Sequence, residues 1–245
     1  MKPYFPLIIL AVASDDKVIY KKLREVYESI IDVSKEVKIY LVYGSPITFT
    51  PKKFDLYFPE IEESPYPGMA LKTIKAMEHV LAEYNFDFLL RTNISTIWLL
   101  DRILTRIKTM PKNNTYTGTR RRCYINGKLS VNYISGTSLI VSRDLVDKIV
   151  KNKYKIVEQD LPEDFAISNF IQSELDLEPV APSLKPMHLL EHLTEFSVPF
   201  IEEELKKADH LNCDHFRIKS KTNREAIDPY VAGYIVNRYY NINNA

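Results

Sequence analysis

Leu7-Ile8-Ile9-Leu10-Ala11-Val12-Ala13 runs directly into Ser14-Asp15-Asp16. A continuous apolar run with β-branched residues is the pattern of a strand covered on both faces. The polar triplet after it is helix-capping chemistry. Leu23, Val26, Tyr27, Ile30 and Ile31 then recur at three and four residues, which is one face of a helix. Val37-Lys38-Ile39-Tyr40-Leu41-Val42-Tyr43 is a second strand, closed by Gly44-Ser45-Pro46. Strand, helix, strand at this spacing is a βαβ unit with a right-handed crossover. The chain is therefore read as α/β, with a mixed, mostly parallel central sheet flanked by helices. Lys2 and the small-residue ending Ala11-Val12-Ala13 have the form of a secretory leader. Pro6 interrupts that stretch and a helix follows at once, so a buried first strand is expected.

Outward from this unit the pattern continues. A Pro-rich connection holds Pro46, Pro51, Pro59, Pro65 and Pro67, and reads as a structured loop. Residues 68–84 read as a helix with Leu71, Ile74, Met77 and Leu81 inward. Phe86-Asp87-Phe88-Leu89-Leu90-Arg91 is a third parallel strand, and residues 98–107 another helix. Asn126-Gly127 marks a hairpin. Thr137-Ser138-Leu139-Ile140-Val141 is a strand, followed by a helix from Ser142 to about Asn152. Pro162-Glu163-Asp164 opens a further helix with Phe165, Ile167, Phe170 and Ile171 as its apolar set. Beyond Pro179 the pattern breaks into short pieces. One domain, 1–245, is expected.

Composition removes several functions. The 245 residues carry 33 basic and 32 acidic side chains, a formal charge of +1, so no global field recruits nucleic acid. Only six glycines occur, and none stands in G-x-G-x-x-G or G-x-x-x-x-G-K-[ST] spacing. A glycine-fingerprint dinucleotide site and a P-loop are excluded, because both need bare backbone against phosphate. Two cysteines, Cys123 and Cys213, make no disulfide framework and point to a reducing, cytoplasmic compartment. No apolar run is long enough for a membrane span. No G-x-S-x-G supports a hydrolase elbow.

In open α/β sheets, ligands sit beyond the carboxyl ends of the strands. Two such ends are polar here: Ser14-Asp15-Asp16, and Arg91-Thr92-Asn93-Ile94-Ser95. Each is cap chemistry taken alone; together they can line a pocket. Five motifs then fall in a familiar order. Leu23-Arg24-Glu25-Val26-Tyr27 follows the first strand, and Leu71-Lys72-Thr73 lies on the next helix. Phe88-Leu89-Leu90-Arg91-Thr92-Asn93-Ile94-Ser95 ends the third strand. Ser135-Gly136-Thr137-Ser138-Leu139-Ile140-Val141-Ser142-Arg143-Asp144 comes next, and Glu163-Asp164-Phe165 about 20 residues later. Over residues 7–170 this resembles the β-1,3-galactosyltransferase-like and fringe-like glycosyltransferases.

The resemblance implies a GT-A fold and transfer of a sugar, with inversion, from a nucleotide-sugar donor, UDP-sugar first, to a glycan or other hydroxyl. It implies a donor-binding part about 1–100 and an acceptor-binding part about 101–245. Ser14 and Asp15 would meet the nucleoside, with Arg24, Lys72, Arg91, Asn93 and Ser95 around donor sugar and diphosphate. Asp164 matches the family's aspartate and would be the general base. Glu163 would bind acceptor or orient the loop, and Gly136 would lie on the acceptor side. The family's acidic triplet holds a divalent cation, for which carboxylates are suited. Here Asn93, Ile94 and Ser95 replace it, so Mn2+ or Mg2+ would be weakly held, by Asn93 and His215 if at all. With no Golgi-type anchor or cysteines, the resemblance suits a cytoplasmic, microbial or viral enzyme.

His215-Phe216-Arg217-Ile218-Lys219 alternates polar and apolar, so His215, Arg217 and Lys219 share one face of a strand. This cluster could clamp the diphosphate in place of the missing acids, or could be a solvated edge strand. Asp164 could equally be a first-turn carboxylate favoured by the helix dipole. The alternative to an enzyme is an inactive glycosyltransferase-like module that binds carbohydrate or acts as a scaffold. Lesser signals are His188 and His192 on a polar helix face, a zinc reading of His210, Cys213, Asp214 and His215, and the Arg120-Arg121-Arg122 run, read as a solvated loop that could meet an anionic acceptor.

Overall fold

The computed structural model describes residues 1–125, 128–180, 184–189 and 197–242. In chain order its first half is β1 (Tyr4–Val12), α1 (Val18–Glu28), β2 (Val37–Ser45), β3 (Asp55–Glu62), α2 (Gly68–Glu83), β4 (Asn85–Asn93), β5 (Thr96–Trp98) and α3 (Leu100–Ile107). There follow β6 (Tyr116–Thr117), β7 (Arg120–Ile125), β8 (Lys128–Ile134), β9 (Leu139–Ser142), α4 (Arg143–Lys151), α5 (Lys153–Val157) and α6 (Glu163–Leu175). The last elements are β10 (Pro186–Leu189), α7 (Val198–His210), β11 (His215–Ile218) and α8 (Arg224–Tyr240).

The main sheet has the order β3-β2-β1-β4-β9-β6. The first four strands are parallel; β9 runs antiparallel to β4, and β6 antiparallel to β9. The opening stretch is thus an interior strand, and its period of two sorts the core. Leu7, Ile9 and Ala11 face one layer with Leu23 and Tyr27 of α1, Ile103 of α3, Leu205 of α7 and Val231 of α8. Ile8, Leu10 and Val12 face the other, with Ile74 and Met77 of α2, Leu145 of α4 and Phe170 of α6. Each layer removes apolar area from water at roughly 25 cal/mol per Å².

Several elements depart from the sequence reading. The Pro-rich connection contains a full strand, β3. It lies at the sheet edge, where the missing N–H of Pro59 interrupts no ladder. Trp98, expected to start a helix, instead ends the short strand β5, which pairs with β11. The region beyond Pro179 holds two long helices. Pro199 near the start of α7, and Pro229 and Gly233 inside α8, hid their periodicity. His188 lies on β10 and not on a helix; His192 and the Asn126-Gly127 turn lie outside the described residues. The flanks of that turn do form the hairpin β7–β8, and Arg120-Arg121-Arg122 are exposed on it rather than in a loop.

The three-stranded sheet β10-β11-β5 is what the site depends on. β11 is its central strand, paired on both sides, not a solvated edge. Its antiparallel register sets Arg217 opposite Thr96, just past the end of β4. The turn into α8 is fixed by Asp228, which is fully buried. That carboxylate accepts from Ser220 N at 2.9 Å, Ser220 Oγ at 2.6 Å and Arg224 Nε at 2.9 Å. Asp228→Ala would strand a buried N–H and should cost about 2–3 kcal/mol in urea unfolding. An unchanged midpoint would show that the turn is held by other means.

Candidate functional site

The carboxyl ends of β1 and β4 open into a cleft of about 340 Å3. Ser14 and Asn93 lie at those two strand ends, Lys17 and Tyr20 at the start of α1, Lys72 on α2, and Arg217 on β11. The structure therefore brings together Ser14, Lys72, Asn93, Ser95 and Arg217, residues the sequence singled out from four separate segments. It adds Asp16, Lys17, Tyr20, Glu63 and Met69, which sequence reasoning missed. Asp16 lay in view within the polar triplet. Glu63 gave no signal in its Pro-rich segment except that a buried lysine needs a carboxylate.

Lys72 is that lysine, 1% exposed. Its Nζ donates to Ala13 O at 2.6 Å and to Glu63 at 2.5 and 2.7 Å. Glu63 also accepts from Gly44 N at 2.7 Å. Burial pulls the Lys72 ammonium below its usual range, and Glu63 opposes that pull. The two charges largely satisfy each other.

Arg217 is different. Its Nη1 donates to Ser95 Oγ and reaches Thr96 Oγ1 at 3.5 Å. Among the described residues no carboxylate lies within ion-pair distance of it. Burial, with Arg224 nearby, pulls its guanidinium down to about 10. It stays charged at neutral pH, in a place that disfavours charge. A half-buried cation bonded only to hydroxyls is an energetic deficit that an anion in the cleft relieves.

Other expected donor contacts are corrected. Asp15 turns away from the cleft: it is buried and accepts from Thr48 N at 2.5 Å. It lines a neighbouring cavity of about 330 Å3 with Arg24. Arg24 itself is spent on Asp55, at 2.6 and 2.7 Å, and on Tyr43 at 3.2 Å, with the Phe49 ring centroid 4.0 Å from its guanidinium. His215 does not share the cleft with Arg217. It is 1% exposed and stacked on Trp98 at 4.1 Å between centroids. Lys219 lies past the end of β11, exposed and outside the cleft.

Arg91, expected at the donor, and Glu163, expected at the acceptor, bind each other. Arg91 is 1% exposed; its Nε meets Glu163 Oε1 at 2.8 Å and its Nη2 meets Oε2 at 2.5 Å. Nη1 donates to Asn93 Oδ1 at 2.6 Å and to the Gly136 carbonyl. Glu163 thus orients the loop rather than facing an acceptor. Gly136 is required by this packing: a Cβ there would stand 2.5 Å from Arg91 Nη1. Asp164, half-buried in the first turn of α6, accepts from Gly136 N at 2.8 Å and Phe165 N at 3.0 Å. It does not line the cleft, but the Gly136 loop and Arg91 connect it to Asn93 at the cleft wall.

The residues expected to hold Mn2+ or Mg2+ do not fit a hard divalent cation. Asn93 Oδ1 already accepts from Arg91, Ser95 Oγ accepts from Arg217, and His215 does not line the cleft. Guanidinium groups, which repel a divalent cation, are thus bonded to both Asn93 and Ser95. Among the described residues no group of three or more His, Cys, Asp or Glu side chains could hold a metal. The zinc reading has no support in the geometry: Asp214 is engaged by Arg106 and by Lys185 N at 2.6 Å, and its neighbours make no such group among the described residues.

The Arg91–Glu163 pair has a pH signature. Burial raises the Glu163 carboxyl above its usual range, and Arg91 opposes the rise. A carboxyl raised in the folded state gives stability that is full below its unfolded value, about 4.3, and lost as pH rises through the folded value. Arg91→Met removes the opposing cation and enlarges that loss. The variant should be about 3–5 kcal/mol less stable than wild type at pH 8 and markedly closer to it near pH 4.5. Urea unfolding at the two pH values checks this, and an equal deficit at both would contradict it.

No protein-family model matches the chain, and no curated protein sequence does. The motif resemblance to the fringe-like family therefore has no counterpart at that level. Among solved structures, the chain is similar to a glycosyltransferase involved in the glycosylation of the major capsid of PBCV-1. The identity is 10% and the TM-score 0.51, over 92% of this chain and 98% of that one. The galactosyltransferase LgtC, solved with donor and acceptor sugar analogs, aligns at 11% identity and a TM-score of 0.47, over 93% and 95%. The first likeness, with the β3-β2-β1-β4-β9-β6 sheet, establishes the architecture: the chain has the GT-A fold.

Proposed function

We propose that the chain is a glycosyltransferase that takes a nucleotide-sugar donor in the cleft beyond β1 and β4, with Arg217 at the donor diphosphate. The observation that supports this most is Arg217 itself: a desolvated cation lining the cleft without a carboxylate partner among the described residues. As the acceptor hydroxyl attacks the anomeric carbon, the bond to the nucleoside diphosphate breaks and negative charge grows on the leaving oxygen. A fixed cation there stabilises the transition state more than the ground state. Lys72 stands on the same wall, but its three donors are given to Ala13 O and Glu63, so it holds the Glu63 carboxylate in place rather than neutralising the diphosphate.

Asp164 is our assignment for the base that takes the acceptor proton. Two backbone N–H groups fix its orientation, and its half-buried carboxylate retains unused lone pairs. UDP is the donor nucleotide we propose first, on the motif resemblance. A protein cation carries the role that a metal has in the acidic-triplet enzymes, so EDTA should leave most of the turnover in place.

Release of nucleoside diphosphate from a panel of nucleotide sugars, with and without a glycan acceptor, tests the enzyme reading. Asp164→Asn should keep donor affinity while kcat falls roughly 10²–10⁴-fold. Glu163→Gln should instead act through stability. No hydrolysis of any donor, together with glycan binding, would favour a carbohydrate-binding module. Full loss of turnover in EDTA with rescue by manganese would remove Arg217 from its proposed role.

A further inference from the structure

Glu63 lines the cleft, and three hydrogen bonds hold its carboxylate there. Lys72 Nζ meets Oε1 at 2.5 Å and Oε2 at 2.7 Å, and Gly44 N donates to Oε1 at 2.7 Å. The backbone is fixed as well: Glu63 N donates at 2.8 Å to Ser45 O, at the end of β2. Gly44 lets the two segments come this close, since a Cβ there would stand 2.6 Å from Ile61 O. Lys72 is itself oriented by Ala13 O, just past the end of β1.

The pair shows its acid to the cleft and keeps its base inside. The Glu63 side chain is 14% exposed and that of Lys72 1%. A carboxylate offers about four acceptor positions. Two on Oε1 and one on Oε2 are filled, which leaves one on Oε2 for a donor arriving in the cleft. An ion pair kept only to fill space could be exchanged for apolar side chains without loss of stability. A buried ammonium behind a fixed, partly open carboxylate is instead a preorganised hydrogen-bond acceptor. The part of a ligand that meets it carries hydroxyls rather than phosphate, because a second anion is repelled by Glu63 and drawn to Arg217. Arg91 and Glu163 lie within electrostatic reach of Lys72. Glu63 thus stands toward the Arg91 and Asp164 side of the cleft, which suits the sugar end of a donor better than its nucleoside.

We infer that Glu63 selects the donor sugar: its Oε2 accepts a hydrogen bond from one sugar hydroxyl, with the carboxylate held in place by Lys72. The inference rests on the donor reading of the cleft and adds to it a residue that discriminates between sugars. A site built around a hydrogen bond to a hydroxyl rejects the analogue that lacks it, because the acceptor is then left short of a partner away from water. The diphosphate makes no contact with Glu63, so affinity for a nucleoside diphosphate alone does not depend on this side chain.

Calorimetric titration of UDP and GDP beside UDP-glucose, UDP-galactose, UDP-N-acetylglucosamine, GDP-mannose and GDP-fucose is the test. Wild type should bind at least one nucleotide sugar. Glu63→Gln puts an amide donor where the acceptor was; it should weaken that nucleotide sugar at least tenfold and the parent diphosphate less than about threefold. One monodeoxy analogue of the bound sugar should bind wild type at least tenfold more weakly than the full sugar. On Glu63→Gln the same analogue and the full sugar should differ by less than about threefold. If Glu63→Gln fails to fold, Glu63→Leu with Lys72→Met removes both charges together and should give the same pattern. Equal weakening of diphosphate and nucleotide sugar overturns the inference, by giving Glu63 to the ribose or to the fold. Sugar binding that survives the substitutions, a deoxy series with no selective loss, or binding of a diphosphate but of none of the sugars also overturns it, and in each case the nucleotide site itself stands. No binding of any diphosphate or nucleotide sugar would remove the donor reading of the cleft, and this inference with it.

Discussion

A buried arginine with a buried glutamate is the constraint on which the rest of the site hangs. Arg91 stands at the end of a central parallel strand, where a nonpolar side chain would be the simpler choice. Two ions taken from water bring little net stability even when paired well, so this pair is weak as a stabiliser. Its effect is positional. One guanidinium fixes α6 through Glu163, the hairpin root through the Gly136 carbonyl, and the cleft wall through Asn93. Gly136 has no room for a side chain because that guanidinium fills the space. Asp164 then closes the same loop from the other end through Gly136 N.

The charges of the cleft follow from this arrangement. Arg91 is neutralised by Glu163 and Lys72 by Glu63, each inside the protein. Arg217, half-buried, alone of these three cations lacks such a partner among the described residues, and Arg224 and Arg91 make its position worse. At an effective dielectric near 20, one unit charge 4 Å away is worth about 4 kcal/mol, an attraction from which the anion's own desolvation must be subtracted. The same arithmetic disfavours a divalent cation between Arg91 and Arg217.

Much of the fold was legible because β1 and β2 are covered on both faces and show it as unbroken apolar runs. β3 was not, since an edge strand tolerates Pro59 and carries little apolar signal. α7 and α8 were masked by internal Pro and Gly. At the site, the motif order located the strand ends, and Ser14, Lys72, Asn93, Ser95 and Arg217 do converge there. Arg91, Asp15 and Arg24 were expected at the donor and are engaged inside the protein instead, whereas the loop-orienting reading of Glu163 agrees with its place beside Arg91. Sequence shows a polar residue near a strand end but not whether another side chain already satisfies it. Glu63 and Asp55, the partners of Lys72 and Arg24, come from the segment with the least regular pattern. His215 and Lys219 failed because β11 ends at Ile218 and the Trp98 ring covers His215.

The claim at the centre of this account is that a protein cation, not a metal ion, meets the phosphates of the ligand. Calorimetric titration of nucleoside diphosphates into the protein in EDTA tests it most directly, with the parent nucleosides as controls. One diphosphate should bind without metal, and Arg217→Ala should weaken it at least tenfold, about 1.4 kcal/mol, while leaving any affinity for the bare nucleoside unchanged. Binding that requires manganese and is indifferent to Arg217→Ala would contradict the account.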